Sequence, residues 1–304
     1  MFRKALTLLE LIIVLAMVIF VLAAIYLAYI GLLKGFRKET GTVSSQIESI
    51  ANLDVLRMDL QEAGFGIGSD CSCNCTGYVC NGDCLPVDYD LIKKGLVIRS
   101  TYNITNKKTR GWGIVDCRSG YRFLTGELPS TSVSLLFLDL ATRKIEGNGT
   151  VGTCPSTGIY LVFPYDSSVT SGCINQFCNK IEYYLAPSTT APSRCANGTL
   201  ALMRRVGGQA VPILYCVADF KVRFKWSGAL IDPSSLSSIS YNDEKSNLQL
   251  VNVYLLVQDG ERDPNFTFTG NTTIDGVNLS LSSVPDYKHY RWKLVKISVK
   301  PMNL

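Results

Sequence analysis

The sequence predicts an α+β protein: a long N-terminal helix, membrane-spanning in its first half, packed on an antiparallel β-sheet domain with disulfide-rich loops. Three observations point there. An uncharged apolar run near the N-terminus continues into a helical stripe. Period-two alternation marks the later chain. All eleven cysteines lie beyond the apolar run.

The apolar run is Leu11 to Leu33, with no charge in 23 residues. At 1.5 Å per residue, such a helix crosses a hydrocarbon core of about 30 Å. No second run of this kind follows, so one span is expected. Gly31 and Gly35 near its outer end have the spacing that lets helices approach closely, or marks local flexibility where the helix leaves the membrane. Lys34, Arg37 and Lys38 close the segment.

Helical patterning then continues. Val43, Ile47, Ile50, Leu53, Leu56, Leu60 and Ala63 recur at steps of three or four, an apolar stripe that would pack on a domain. Gly64 supplies the stop. One helix from about Leu6 to Ala63 is therefore expected.

After Gly66 the pattern changes to short strands and polar turns. In Asp219–Trp226, Phe220, Val222, Phe224 and Trp226 alternate with Lys221, Arg223 and Lys225, the signature of a half-buried strand. Val251, Val253, Leu255 and Val257 mark a second face, and Val295, Ile297 and Val299 a third. Ile159–Phe163 and Val133–Leu138 are continuous apolar runs, read as central strands. Gly207-Gly208 is a hairpin turn. Together these predict one antiparallel sheet against the outer half of the helix.

The composition fits a folded protein, 47% hydrophobic and 18% charged over 304 residues. A scattered net charge of +5 demands no nucleic-acid partner. The cysteines are Cys71, Cys73, Cys75, Cys80, Cys84, Cys117, Cys154, Cys173, Cys178, Cys195 and Cys216. Such a load reads as disulfides in an oxidising compartment. The odd count leaves at least one thiol free, paired between chains or ligating something. CxCxC at Cys71–Cys75 also has soft-metal character, with disulfides the better account outside the cytosol. Cys173 and Cys178 form a candidate local pair; the remaining connectivity is open. The cysteines place the C-terminal bulk outside the cytoplasm.

The N-terminus reads MFRKALTLLE. Arg3 and Lys4 precede the apolar run, yet the small residue Ala5 comes before the apolar core and not after it, so a cut there would leave the helix on the mature chain. Glu10 sits inside the helix. A carboxylate in hydrocarbon costs about 2.5–3.5 kcal/mol. Cleavage after Ala5 would create an ammonium on Leu6, four residues away, and the Glu10 of one chain could pair with the Leu6 amine of its neighbour in a packed array. An uncleaved signal anchor is the plainer alternative.

Lys4-Ala5 followed by Leu6-Thr7-Leu8-Leu9-Glu10-Leu11 resembles the type IV prepilin (class III) signal. Ala5 stands where family members usually have Gly, and Leu6 where Phe or Met is frequent. The resemblance implies cleavage between Ala5 and Leu6 by a prepilin peptidase, N-methylation of Leu6, and Glu10 as the assembly charge. Asp59-Leu60-Gln61-Glu62-Ala63-Gly64-Phe65 and the ending Val295–Leu304 look similar to PilW-type minor pilins. That family implies a structural subunit which primes or caps a type IV pilus. Its partners would be major and minor pilins, inner-membrane lipid and the prepilin peptidase. The expected organisation is a leader at 1–5, the membrane half of the helix at 6–33, the outer half at 34–64 and an extracytoplasmic β-rich domain at 65–304. The protein would sit in the inner membrane before assembly and then on the pilus or cell surface. Competing readings are a J-class pseudopilin of type II secretion and a membrane-tethered adhesin or DNA-binding module.

No enzymatic constellation emerges, and no catalytic residue, metal site or cofactor is assigned. The one histidine, His289, cannot build a two-histidine metal site. It has no nucleophile motif beside it and reads as a surface or strand residue. Its segment, Tyr287–Lys293, mixes aromatics and cations; it describes an amphipathic strand, or a site for a weak DNA ligand. Weak glycan binding is the companion expectation. Seven Asn-x-Ser/Thr sequons, at Asn74, Asn103, Asn148, Asn197, Asn265, Asn271 and Asn278, are expected on exposed polar loops. Asp259–Asp263 reads as a turn, with a calcium site as the alternative.

Overall fold

The structure, a computed structural model, describes residues 8–69, 75, 76, 79, 80, 85–129, 132–166, 178–235 and 239–304. The chain divides into one compact unit ending at Glu48 and a second, Ser49–Leu304. Helix α1 (Leu8–Gln61) runs from the first into the second. It ends two residues before Ala63. Gly64 follows with φ 83° and donates its N–H to Arg99 O at 2.9 Å, leaving the helical path where a stop was expected.

In the second unit, β1 (Cys75–Thr76) and β2 (Val79–Cys80) pair as a short ribbon. Strands β3 (Val87–Asp90) and β4 (Gly95–Ser100) begin a large sheet. The chain then leaves it to build β5 (Trp112–Asp116), β6 (Arg122–Glu127), β7 (Ser134–Asp139), β8 (Ile145–Thr150) and β9 (Ile159–Tyr165). These form a separate five-stranded sheet in the order β6-β5-β9-β7-β8. The chain returns with β10 (Asn179–Ala186), which pairs directly with β4, so the second sheet is an insertion between neighbouring strands. β11 (Leu200–Val206), β12 (Gln209–Trp226) and β13 (Ala229–Ile231) follow. Helix α2 (Tyr241–Asn247) carries a capping box on Ser240 and Asp243 and leads into β14 (Leu248–Asp259). A ribbon of β15 (Thr273–Ile274) and β16 (Val277–Asn278) precedes β17 (Arg291–Val299). The large sheet is antiparallel, in the order β17-β14-β12-β11-β10-β4-β3 with β13 beside β12.

The single expected sheet is thus two. Ile159–Phe163 and Val133–Leu138 do lie in interior strands, but of the inserted sheet. Alternation along β12 follows the reading: Phe220, Val222 and Phe224 are buried, and Lys221, Arg223 and Lys225 are half-exposed. The Gly207-Gly208 turn joins β11 to β12.

Why the large sheet forms is visible in its core. Leu56 and Leu60 on α1, and Ala63 just past it, are fully buried with Leu96, Ile98, Ile181, Tyr183, Leu202, Val222, Val253 and Ile297. These three are the last members of the stripe; the side chains of Val43, Ile47 and Ile50 lie outside the described residues. Phe65, just past the helix, stacks edge-on against Phe163 of the inserted sheet at 4.8 Å between centroids. One short segment therefore touches both sheets.

The turn after α1 depends on Gly66. Its φ is 72°, and a Cβ there would lie 2.4 Å from Thr101 Oγ1. Thr101 is fully buried and hydrogen-bonds Phe65 O through its N–H at 2.8 Å, so it has little room to retreat. Gly66→Ala is expected to lower unfolding free energy by about 1–3 kcal/mol or more, read by chemical denaturation. The C-terminal tail closes the same corner: Met302 N donates to Gln61 O at 3.0 Å and satisfies a carbonyl orphaned at the helix end.

Two disulfides are fully described. Cys117–Cys154 joins loops of the inserted sheet, and Cys195–Cys216 ties the β10–β11 connection to β12. Cys178 is also disulfide-bonded. Cys173, and the side chains of Cys71, Cys73, Cys75, Cys80 and Cys84, lie outside the described residues. Cys195–Cys216 closes a 21-residue separation, so replacing both cysteines with serine should cost about 3 kcal/mol in a denaturant titration.

Candidate functional site in the long helix

Two parts of α1 present the features that matter. The first is Ile12–Leu33, 22 residues long and apolar enough to cross a membrane. Sixteen large apolar side chains there are exposed, Phe20 to 78%. Burying a side chain of this kind stabilises by at least about 1.5 kcal/mol, so together they represent more than about 20 kcal/mol. That exceeds the 5–15 kcal/mol typical of a whole domain's stability. Such a surface is suited to a membrane by length and composition. Glu10 lies in the helical backbone two residues before this segment. Its side chain, Ala5 and Leu6 lie outside the described residues.

The second part is the docking of the helix end on the large sheet. Asp59 sits on the buried face beside Leu56, Leu60 and Ala63, and its side chain is wholly enclosed. Arg204 on β11 grips it with two bonds, Nε to Oδ2 at 2.7 Å and Nη2 to Oδ1 at 3.2 Å. Tyr183 on β10 donates its hydroxyl to Oδ2 at 2.5 Å. Tyr183 and Arg204 stand directly opposite each other across the strands, so one cross-strand pair meets one helix carboxylate. Arg204 Nη2 also reaches Asn103 Oδ1 at 3.4 Å. Burial and then the Asp59 carboxylate push the Tyr183 hydroxyl well above its ordinary range, keeping it a neutral donor. Burial would lower the Arg204 pKa, but hydrogen bonding and attraction to Asp59 outweigh it and raise it. The sequence reading passed over this pair. The available signal was a carboxylate at position 59 inside an apolar stripe, which requires a buried partner.

A second ionic group lies on the same strand pair. Glu182 accepts from Lys93 at 3.0 Å and from Arg205, with Lys180 at 4.0 Å. Burial raises the Glu182 pKa, but the bonds from Lys93 and Arg205 overcome it and hold the carboxyl below its ordinary 4.5. A lowered folded-state value contributes stability above 4.5 that is lost as pH falls through the folded value. Glu182→Gln should therefore show a flatter loss of stability on acidification than the wild type, followed by denaturation at several pH values below 5 (about one unit apart).

The other singled-out residues are used inside the chain. Tyr287–His289 forms a short 3-10 turn, and the strand begins only at Arg291, a correction to the strand expected across Tyr287–Lys293. His289 Nδ1 contacts Phe266 O at 3.1 Å, and its Nε2 lies 3.7 Å from Asp286. Arg291 pairs with Asp263 at 3.1 Å and lies over the Phe266 ring. Asp259–Asp263 ends β14 and enters a turn, with Arg262 bound to Asp286 at 2.6 Å. Among the described residues no group of three or more His, Cys, Asp or Glu side chains could hold a metal ion. Asn148, Asn197, Asn265, Asn271 and Asn278 are exposed, as the sequons suggested. Asn103 is not exposed: it is 5% accessible, and its Oδ1 accepts from Thr105 and Arg204. Its sequon sits in the helix-docking network and not on an open loop. Asn74 lies outside the described residues. Comparison of the chain with family models, with curated proteins and with solved structures finds no match.

Proposed function

We propose that the chain is a structural subunit of a type IV pilin-like assembly, anchored by α1 and acting through helix–helix packing in the manner of PilW-type minor pilins. The observation that carries this reading is the pairing of an uncharged Ile12–Leu33, none of it buried, with an acid, Glu10, at its N-terminal edge. A plain membrane anchor has no use for that acid, which costs about 2.5–3.5 kcal/mol in hydrocarbon unless a cation meets it. The Leu6 ammonium of a neighbouring chain, freed by cleavage after Ala5, supplies the cation. Ser49–Leu304 then stands outside the cytoplasm, where its disulfides persist.

Partners in this reading are other pilins through the helix, the prepilin peptidase, and inner-membrane lipid before assembly. A photo-crosslinking residue placed at successive positions from Ile12 to Leu33 should capture the N-terminal helices of other pilins in intact cells. Capture of lipid alone at every position removes the reading. A J-class pseudopilin would crosslink to secretion-system pseudopilins instead.

A further inference from the structure

The segment between β14 and β17 folds over the second face of the large sheet. Val277, Leu279, Leu281 and Val284 are buried there against Tyr254 and Leu256. On this segment lies an open recess of about 410 Å³. Two half-buried rings, Phe268 and Tyr287, line it together with the hydroxyls of Thr269, Thr272 and Ser282, and Leu281 supplies an apolar patch. No charged side chain is among its lining residues.

The rings are held by their backbones. Phe268 N donates to Lys288 O at 2.7 Å, and Tyr287 O accepts from Trp292 Nε1 at 2.9 Å. Gly270 keeps the rim clear, since a Cβ there would lie 2.7 Å from Phe268 Cε2. The hydroxyls retain free capacity. Among the described residues, neither Tyr287 Oη nor Thr269 Oγ1 is used in a hydrogen bond within the chain. Ser282 Oγ accepts from Ser280 Oγ at 2.8 Å and so keeps its proton for another acceptor.

This lining selects its ligand by chemistry. Anions such as phosphates or acidic sugars find no cation here, and a purely apolar ligand would bury hydroxyls without partners. A pyranose ring is apolar across its faces and carries donors and acceptors around its edge. It can lie against Phe268 and Tyr287 while the threonine, serine and tyrosine hydroxyls meet its rim. We propose that this recess binds one or two units of a neutral saccharide. The proposal goes beyond the assembly reading and does not rest on it.

The test uses the full chain in lipid nanodiscs, since sugar-headed detergents would compete. Maltotriose and N,N′-diacetylchitobiose are the neutral probes, and 3′-sialyllactose and inorganic phosphate the anionic ones. Saturation-transfer NMR and calorimetry should detect millimolar or tighter binding of at least one neutral probe. Phe268→Ala should weaken it about tenfold or more, and Tyr287→Phe, which keeps the ring and removes one hydroxyl, several-fold. Circular dichroism and denaturation midpoints of both variants should match the wild type. If the Phe268 variant unfolds, the Tyr287 variant decides alone. No neutral binding, stronger anionic binding, or unchanged affinity in a folded variant overturns the proposal. The measurement reads no assembly, so its failure leaves the pilin-like reading as it stands.

Discussion

Replacing Asp59 with alanine is expected to lower the unfolding free energy of the Ser49–Leu304 unit by about 3–5 kcal/mol. The reason is the charge left behind. Arg204 is 4% accessible and would keep its guanidinium in an enclosure with no carboxylate, left to neutral partners such as Asn103 Oδ1 at 3.4 Å and Tyr183. Tyr183, fully buried, would lose the acceptor for its hydroxyl. Denaturant titration of the full chain in micelles measures the loss. The companion change tells burial of a charge from simple loss of packing. Asp59→Leu combined with Arg204→Met removes both charges at similar volume, and should recover most of the stability. If the double variant falls as far as the sum of the singles, the network is not coupled, and the account of helix docking is wrong. This pair also has a consequence for function. It fixes the rotation of the helix end on the sheet, because a bidentate contact tolerates only one orientation.

The second large effect belongs to Glu10. If the chain assembles as proposed, Glu10→Ala should abolish its recovery with pilins while leaving Ser49–Leu304 folded, as judged by an unchanged denaturation midpoint for that unit within the full chain. The direction of the insertion energetics makes the test sharp. Removing a carboxylate from hydrocarbon should ease membrane insertion by about 2.5–3.5 kcal/mol, so failure to assemble cannot be laid to a poorer anchor. Glu10→Gln, which keeps the size and removes the charge, should fail in the same way. Normal assembly of either variant contradicts the charge-pair account.

The long helix was legible because its signals are local. An uncharged run, a three-four stripe and a glycine stop are read within one turn of each position. Three strands of the large sheet, β12, β14 and β17, were legible for the same reason, as with Phe220, Val222 and Phe224 against Lys221, Arg223 and Lys225. What stayed hidden depends on pairing between distant residues. β4 pairs with β10, and the whole inserted sheet lies between them in sequence; nothing in the apolar run Ile159–Phe163 says which sheet it joins. β6 and β8 hold glycines and polar residues without an apolar face, so they give no periodic signal. Asp59 and Arg204 are 145 positions apart and look like ordinary charges until the fold brings them together. Asn103 misled for a related reason: a sequon describes three residues, while burial is decided by the elements packed around them. The recess on the β14–β17 segment was equally invisible, because Phe268 and Tyr287 meet only through a returning loop.

The most direct measurement is the mass of the mature protein's first peptide, purified from cells that make the other assembly components. An N-terminus beginning at Leu6 and carrying one methyl group is the result that a cleaved, helix-packed subunit requires. Met1 retained on protein that still enters the assembly would mean that no new ammonium exists for Glu10 to meet, and would contradict the account.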